Sequence, residues 1–516
     1  MFRRSLLVML SVALVAAFSL TALASTEDGV LVFGATGELR TLDPHVSVDN
    51  NAWRAIYYCY DRLVEFKLGT TELVPGLATS WDIVDDGLTY AFQLREGIKF
   101  IDGASFNAEA VKFNFDRLLA MGLAPAGTFG FVDRVEVVDD YTVNFVLKEA
   151  FIPGISSFAT DQGCIVSPGV MEHEVAGDWA QDWLAEHSAG TGPFYVDEWT
   201  HGVRVVLARN DSYWGEPAKL EKVSIRYIPE AADLRMLLET GDIDIGEKLT
   251  VDQVEAMKGT SGITVFEAPS FSCHYVYMNC QRPYLNDVRV RQAISYAVNY
   301  DGIINDLWRG TATQMRGPIP VGLVGHDENL FQYQQDLEKA RELLADAGYP
   351  GGGFTLKIMH APVIPEWRPM ALVIQEGLAE IGIKLEIESY AWATLRDKLN
   401  TGDFDMSHGY WTPDYADADM FTWFWFYSQN WGLAGNRSWY KNVVMDKLVI
   451  QSRIEVDPDK RLALFQGIQW IAVGDAVYLY LLQTDYQIVM RDWVKGYVYN
   501  PMLLNMPNFP GMYIEK

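Results

Sequence analysis

Strand patterns bounded by tight turns appear early in the chain. Residues 88–94 alternate apolar side chains with polar or small ones directly after Asp85-Asp86-Gly87, and this pattern predicts a half-buried strand that follows a turn. The segments 135–138 and 141–147 flank Asp139-Asp140, which predicts a β-hairpin. This part of the chain therefore contributes at least three strands.

Helical periodicity is clear at two capped segments. Asn107 is predicted to cap a helix through Leu119, because apolar residues recur there at spacings of four and three. Asp336 is predicted to cap another helix, which Gly348 ends. The apolar stripe of this second helix consists of Leu337, Ala340, Leu343, Leu344 and Ala347.

A further helix is predicted from about Pro369 to Ile381, and Gly382 ends it. Residues 383–387 then alternate apolar and charged side chains as an exposed-face strand does. The mixture of helices and strands predicts an α/β protein. Since the sequence contains no internal repeat and no low-complexity linker, its domains should be joined by short crossings.

The first 24 residues have the pattern of an export signal. Arg3 and Arg4 precede an apolar run from Leu6 to Leu20, and Ala22-Leu23-Ala24 is an A-x-A cleavage site. The run is shorter than the ~20 residues of a spanning helix, which disfavours an uncleaved anchor. No cysteine follows the small residues, so we expect no lipid anchor and a periplasmic location. The paired arginines also suggest twin-arginine export.

Composition argues against nucleic acid as a partner and does not decide whether the cysteines form disulfides. The 516 residues, 49% of them apolar, can build about three core-sized units. The formal net charge of −27 predicts an acidic surface that repels nucleic acid. Four cysteines, at 59, 164, 273 and 280, form no CxxC pair. Whether Cys59, Cys164, Cys273 and Cys280 form disulfides is not fixed by their spacing.

Motifs of catalysis and metal binding are absent from the sequence. It contains no P-loop, GxGxxG, HExxH or GxSxG pattern, and no two histidines have the spacing of a helical metal pair. Asp403 and Asp405 resemble a glycosidase pair only by adjacency, which says nothing about the separation of their carboxyl groups. The sequence therefore predicts no enzyme, no cofactor and no metal site.

Aromatic side chains are concentrated between Tyr410 and Tyr440. Twelve of the 31 residues are aromatic, and Asp414, Asp417 and Asp419 lie among them. Rings together with a few placed charges are typical of a ligand pocket. The alternative is that residues 423–427 alternate between core and surface, so that half of them only pack. A calcium loop is disfavoured because the Gly and the distal Glu of an EF-hand are missing.

A series of ordered motifs extends from about Leu31 to Pro507. They are Thr41-Leu42-Asp43-Pro44, Val74-Pro75-Gly76-Leu77-Ala78-Thr79-Ser80-Trp81, Leu94-Arg95-Glu96-Gly97-Ile98-Lys99-Phe100, Gly190-Thr191-Gly192-Pro193-Phe194, Arg209-Asn210-Asp211-Ser212-Tyr213-Trp214 and Asp287-Val288-Arg289-Val290-Arg291-Gln292-Ala293-Ile294. In this order they resemble the family 5 extracellular solute-binding proteins of ABC importers, the dipeptide, oligopeptide and nickel class.

The resemblance implies a two-lobed periplasmic-binding-protein fold with a two-crossing hinge. The first lobe would comprise residues 25–268 and 483–516, with an extra subdomain inserted at about 51–175. The second lobe would comprise residues 269–482. A monomer of this class encloses a small solute between its lobes and delivers it, unaltered, to an ABC permease in the inner membrane. The solute favoured by the resemblance is a di- or oligopeptide.

Similarity to the dipeptide-binding branch suggests two charged anchors. Asp414 matches the aspartate that takes the ligand ammonium, and Arg368 matches the arginine that grips the ligand carboxylate. The remaining predicted ligand-binding residues come from the aromatic segment: Trp411, Tyr415, Asp417, Trp423 and Trp425. Stacking on these rings equally suits an oligosaccharide, His408 alone supports a nickel chelate, and a secreted glycoside hydrolase is the remote alternative.

Overall fold

The computed structural model describes residues 29–503 and 506–516; the predicted signal segment at 1–24 lies outside them. The strands are β1 Val30–Ala35, β2 Val64–Phe66, β3 Leu73–Pro75, β4 Ala78–Val84, β5 Thr89–Leu94, β6 Val132–Asp139, β7 Thr142–Leu147, β8 Phe194–Thr200, β9 Arg204–Arg209, β10 Lys222–Tyr227, β11 Ile245–Gly246, β12 Ile263–Met278, β13 Ala312–Gln314, β14 Thr355–His360, β15 Lys384–Ser389, β16 Met406–Trp411, β17 Tyr478–Arg491, β18 Val494–Lys495 and β19 Tyr513–Ile514.

The α-helices of the described residues are α1 Asn50–Cys59, α2 Ala108–Met121, α3 Gln181–Leu184, α4 Ala231–Thr240, α5 Val251–Met257, α6 Val288–Ala297, α7 Leu337–Asp346, α8 Trp367–Glu380, α9 Trp392–Thr401, α10 Asp419–Phe426, α11 Val443–Ile454 and α12 Pro458–Gly474. Short 3-10 helices at Ile152–Ala159 and Asp161–Gly163 also contribute to the functional site. None of the helices within 29–503 and 506–516 has the length and apolar character needed to cross a bilayer.

The predicted strands agree with the structure. Residues 89–94 form β5, whose Tyr90 and Phe92 are fully buried, and the preceding residues 85–87 make the turn with positive φ angles. The predicted hairpin is confirmed as β6 paired with β7. The predicted exposed-face strand is confirmed as β15, which is buried at Leu385 and exposed at Lys384.

The predicted helices are confirmed, with small differences at their ends. The Asn107 side chain accepts a hydrogen bond from the Ala110 amide at the start of α2, and the Asp336 side chain accepts one from the Lys339 amide at the start of α7. Helix α8 begins at Trp367, two residues before the predicted start. Pro369 fits inside this first turn, because the amide groups there have no acceptor within the helix.

One mixed sheet organises the described part of the chain. Its strand order is β15-β14-β16-β12-β17-β11-β1-β10-β9-β8, and β13 pairs with β17 at one side. The long strands β12 and β17 pair with each other along most of their length. The register of this pair shifts between Pro269 and Cys273 and again between His274 and Tyr275. The two strands thereby carry the chain from one half of the sheet to the other.

The two halves of the sheet form two lobes with separate cores. We call β1 and β8–β11, with the helices packed on them, the first lobe; its core contains buried Leu31, Ile56 and Val223. We call β13–β16, with α6–α12, the second lobe; its core contains buried Ile294 and Ile374. This is the α/β, two-lobed architecture that the sequence predicts.

A small sheet with the order β4-β5-β7-β6 is separate from the main sheet and lies inside the predicted insertion at 51–175. Its hydrophobic core is continuous with that of the second lobe. The contact passes through Phe151, whose ring lies 6.3 Å from the Tyr415 ring and 4.4 Å from the Arg453 guanidinium. The inserted sheet therefore packs against the second lobe.

All four cysteines lie in the described part of the chain, and each is a buried free thiol. Burial raises the pKa of Cys59 and of Cys164 to about 12. The structure thus shows no disulfide among the described residues.

Candidate functional site

A cavity of about 130 Å³ lies where segments of both lobes meet. The first lobe contributes Asn50 and Trp53 of α1, and the neighbouring turn contributes residues 160–162. The second lobe contributes residues 412–414, which directly follow β16. The remaining wall is formed by Phe66, Met502, Leu503 and Met506.

Sheet topology explains why the second lobe presents polar groups here. Strands β14 and β16 are parallel neighbours, with Ile358 opposite Met406. In open α/β sheets ligands bind outside the carboxyl ends of such strands. Asp414 follows the end of β16, and Arg368 lies in the first turn of α8, which follows β14. Both predicted anchors therefore belong to the same edge of the sheet.

Asp414 lines the cavity, and its side chain is accessible to the water of the cleft. The surrounding protein desolvates the carboxyl group and raises its pKa to about 6. No cation of the described residues forms an ion pair with it. The group can therefore accept a positively charged ligand group without first losing a protein partner.

Asp161 is a second carboxyl group on the same cavity wall, and sequence reasoning missed it. Its side chain is only 6% exposed. Burial raises the pKa of Asp161 to about 8, and the negative charge of Asp414 adds to this effect. The Gln162 amide donates a hydrogen bond of 2.8 Å to its Oδ2. No periodic or turn signal in the sequence around Asp161 marks it as a site residue.

The indole N–H of Trp53 is also left for a ligand. This residue lies on the cavity wall, and its buried Nε1 has no acceptor among the described residues. A buried donor without a partner is costly, and a ligand carbonyl would satisfy it. Sequence reasoning did not select Trp53 either.

Arg368 is exposed and does not line this cavity. Within the described residues its guanidinium makes no ion pair. It lies close enough to His360 that its charge, after the larger effect of burial, lowers the pKa of that imidazole. The structure therefore brings Asp414, but not Arg368, to the wall of the enclosed space.

Three other predicted residues have protein partners nearby. Trp411 packs against Phe424 at a centroid distance of 6.2 Å, with the two rings tilted by 41°. The Tyr415 hydroxyl donates a hydrogen bond of 2.6 Å to buried Asp419, and Asp417 binds the guanidinium of Arg461 through two contacts of 2.6 and 2.7 Å. These contacts organise the segment that follows Asp414.

Trp423 and Trp425 lie on α10, and only Trp425 and Phe426 among residues 423–427 are buried. The ring of Trp423 stacks on Tyr427 at 4.0 Å, and the Arg453 guanidinium lies 4.1 Å from its centroid. Trp425 is 1% exposed and packs 4.4 Å from Tyr275 in the core. Residues one helical turn apart share a face, which buries Phe421 together with Trp425.

Arg437 is an unpredicted cation beside the predicted aromatic residues. Its Nη1 donates a hydrogen bond of 2.8 Å to the Tyr277 hydroxyl, and its guanidinium lies 5.3 Å from the Trp411 ring. It makes no ion pair with a carboxylate in the part of the chain that the structure describes. Arg437 is thus a second arginine, besides Arg368, available to a ligand carboxylate.

His408, the residue that supported a nickel chelate, lies inside the second lobe. It is 1% exposed and stacks on Trp367 at 5.8 Å. Burial lowers its pKa to about 3, and the nearby His274 and His360 add to the effect. No group of three or more His, Cys, Asp or Glu residues within 29–503 and 506–516 is arranged to hold a metal ion.

Comparisons with known proteins agree on one family. Residues 72–433 match the family model described as bacterial extracellular solute-binding proteins, family 5. The chain is 39% identical over 494 residues to the probable D,D-dipeptide-binding periplasmic protein DdpA of Escherichia coli, covering 95% of each chain. It is 29% identical to the dipeptide-binding protein of the same species, covering 96% of this chain and 97% of that one.

Solved structures of the same architecture cover nearly the whole chain. The periplasmic binding protein DppA of Helicobacter pylori, in complex with the peptide STSA, matches with a TM-score of 0.78 and 31% identity over 95% of this chain and 98% of that one. HbpA2 of Haemophilus parasuis matches with a TM-score of 0.86 and 29% identity over 94% of this chain and 100% of that one.

Proposed function

This chain belongs to the bacterial extracellular solute-binding proteins of family 5, and from that premise we propose that it captures a dipeptide between its lobes. In this proposal the protein works in the periplasm and delivers the dipeptide, unaltered, to an ABC permease. The lobes move about the crossings near 268/269 and 482/483, where β12 and β17 pass from one lobe to the other.

The observation that carries this proposal is the position of Asp414. It lies on the wall of a cavity that both lobes enclose, without a cation of its own. A carboxylate in this position can accept charge-assisted hydrogen bonds from a ligand ammonium group. The ligand carboxylate would then lie towards Arg368 or Arg437.

The size of the cavity suits the amino-terminal end of a peptide. Sites for drug-sized ligands measure roughly 300–1,000 Å³, whereas this cavity measures about 130 Å³. A dipeptide spans only about 7 Å between its charged ends. The described cavity suits the amino-terminal part of such a ligand, with the remainder directed towards the arginines.

The aromatic residues give less support to an oligosaccharide. Trp425 is in the core, and one face of Trp423 is covered by Tyr427. A sugar needs exposed ring faces for stacking. The described contacts leave few such faces beside the cavity.

Calorimetric titration of the purified protein tests the proposal. The probes are L-Ala-L-Ala, D-Ala-D-Ala, an alanine tetrapeptide and maltotriose at pH 7.5. We expect a dipeptide to bind at one per protein, and Asp414→Asn to weaken binding about 10- to 100-fold because a charge-assisted contact is lost. Asp82→Asn, which changes an exposed carboxylate on β4, is the matched control and should bind as the wild type does.

Two outcomes would contradict the proposal. Binding of maltotriose but of neither dipeptide would favour the oligosaccharide alternative. Recovery of free alanine after incubation, detected by mass spectrometry, would identify a hydrolase, since a binding protein returns its ligand intact.

A further inference from the structure

We propose that Asp161, besides Asp414, is a second anchor for the ligand ammonium group. This inference rests on the proposed function and deepens it, because it adds to the site a residue that the family resemblance does not mark. Asp161 and Asp414 come from distant parts of the chain and line the same space.

The position of Asp161 is fixed by the first lobe. The 3-10 helix Asp161–Gly163 packs against α1, which also supplies Asn50 and Trp53 to the cavity wall. The Cys164 amide donates a hydrogen bond of 3.2 Å to the Asp161 carbonyl, and the Ile165 amide donates one of 2.9 Å to the Asp61 carbonyl. The carboxyl group is therefore held on a rigid support opposite the segment that carries Asp414.

The protein supplies no cation to this carboxyl group. The nearest positive charge that affects Asp161 is Arg62, and both carboxylate oxygens of Glu65 already bind Arg62 Nη2 at 2.7 Å. Asp161 forms no ion pair with any described residue. The side-chain amide of Gln162 is the one group of another described residue that donates a hydrogen bond to its carboxyl group. Burial and the nearby charge of Asp414 therefore keep Asp161 largely protonated at neutral pH while no ligand cation is bound.

An ammonium group between the two residues donates several hydrogen bonds and favours the charged form of both carboxyl groups. A metal ion is not favoured, since the described residues offer no group of three suitable ligands. A dipeptide whose amino group is acetylated brings an amide instead of a charge. It would leave the Asp414 carboxylate without a positively charged partner and would bring no cation to ionise Asp161, so we expect it to bind far more weakly.

The positions of Asp161 and Asp414 also link the charge of the ligand to the closing of the two lobes. The segment with Asp161 packs against α1 of the first lobe, and Asp414 follows β16 of the second, so a ligand that contacts both carboxyl groups bridges the two lobes. A ligand shifts a conformational equilibrium only by the difference in its affinity for the two states. A ligand ammonium that contacts both carboxylates binds the closed state better than the open one.

Titration calorimetry of Asp161→Asn, Asp414→Asn and the control Asp82→Asn tests this inference. The probes are L-Ala-L-Ala and D-Ala-D-Ala, with their N-acetylated forms, at pH 7.5. We expect Asp161→Asn to weaken dipeptide binding about 10- to 100-fold, and the acetylated probes to bind the wild type far more weakly than the free dipeptides do. Asn has the same shape as Asp and replaces a buried carboxyl group by a neutral amide, so we expect Asp161→Asn to fold. Circular dichroism checks that it does. Unchanged affinity of Asp161→Asn would overturn the inference and leave the proposed function standing.

If the wild type binds no dipeptide, the proposed function fails, and the ammonium site must then be tested without a peptide. Carbon-13 NMR of the aspartate carboxyl groups follows Asp161 and Asp414 while ethylammonium chloride is added. Shifts of both carboxyl signals in the wild type, and loss of the Asp414 shift in Asp161→Asn, support a shared ammonium site. Signals that do not respond would overturn it.

Discussion

Binding of a dipeptide should release protons from the cavity. At pH 7 a carboxyl group with a pKa of about 8, as at Asp161, is about 90% protonated, and one with a pKa of about 6, as at Asp414, is about 10% protonated. The empty cavity therefore holds about one proton. An ammonium group between the two carboxyl groups favours their charged forms, so about one proton should leave with each dipeptide bound.

The release of protons on binding determines how the affinity for the dipeptide changes with pH. Because binding expels protons, affinity rises with pH in the window below about pH 8, where Asp161 is protonated. At pH 6 the same calculation gives about 1.5 protons released, so the Kd should be about 10- to 20-fold weaker at pH 6 than at pH 7. Above pH 8 the ligand amine itself loses its proton and affinity falls again.

Titration calorimetry in phosphate and in Tris at pH 7 measures the release directly, because the two buffers differ in ionisation enthalpy. We expect Asp161→Asn to reduce the release to about 0.1 proton, the share that Asp414 holds at this pH. The reasoning is refuted if the wild type releases no proton and its Kd is the same at pH 6 and pH 7.

Three further predictions concern the framework of the site. His408, with a pKa of about 3, is neutral in the folded protein, whereas the unfolded chain gains a proton at this residue between pH 6.5 and pH 4. Acidification over this range therefore lowers the free energy of unfolding of the wild type. In urea titrations the same acidification should cost His408→Gln less, by up to about 3 kcal/mol. Arg453→Ala removes cation–π contacts with Phe151 and Trp423 worth about 0.5–1 kcal/mol each and leaves buried Asp419 without its ion pair, so urea titration should show a free energy of unfolding lower by at least about 1–2 kcal/mol. An unchanged free energy of unfolding would show that these contacts do not stabilise the junction between the inserted sheet and the second lobe. Trp425→Ala should lower the free energy of unfolding by about 3–5 kcal/mol, whereas Trp470→Ala, at a site 53% exposed, should change it by less than about 0.5 kcal/mol.

Local patterns were sufficient for the secondary structure. The caps at Asn107 and Asp336 and the alternation in 88–94 act within a few residues, so the sequence contains the information needed to predict them. The resemblance of the ordered motifs to the family then predicted that these elements form two lobes. For the aromatic segment the sequence left a ligand pocket and core packing as alternatives, because composition alone does not show which rings of α10 face the core.

Within the candidate site, only a residue that follows a strand of the main sheet was predicted from the sequence. Asp414 lies three residues after the end of β16, and the family pattern marks that position. Asp161 lies in an irregular turn, and its burial and its proximity to Asp414 result from contacts between residues far apart in the sequence. No local pattern encodes such contacts, so Asp161 and Trp53 could be found only from the three-dimensional arrangement.

The position of β17 in the sheet bears on how the molecule is made. β17 separates β11 from β12, yet it is synthesised more than two hundred residues after β11. Until residues 478–491 are available to pair, the sides of β11 and β12 that face β17 have no neighbour, and exposed strand edges of this kind invite association with other chains. An incomplete chain of this topology should therefore benefit from a chaperone that shields these two edges until β17 is in place.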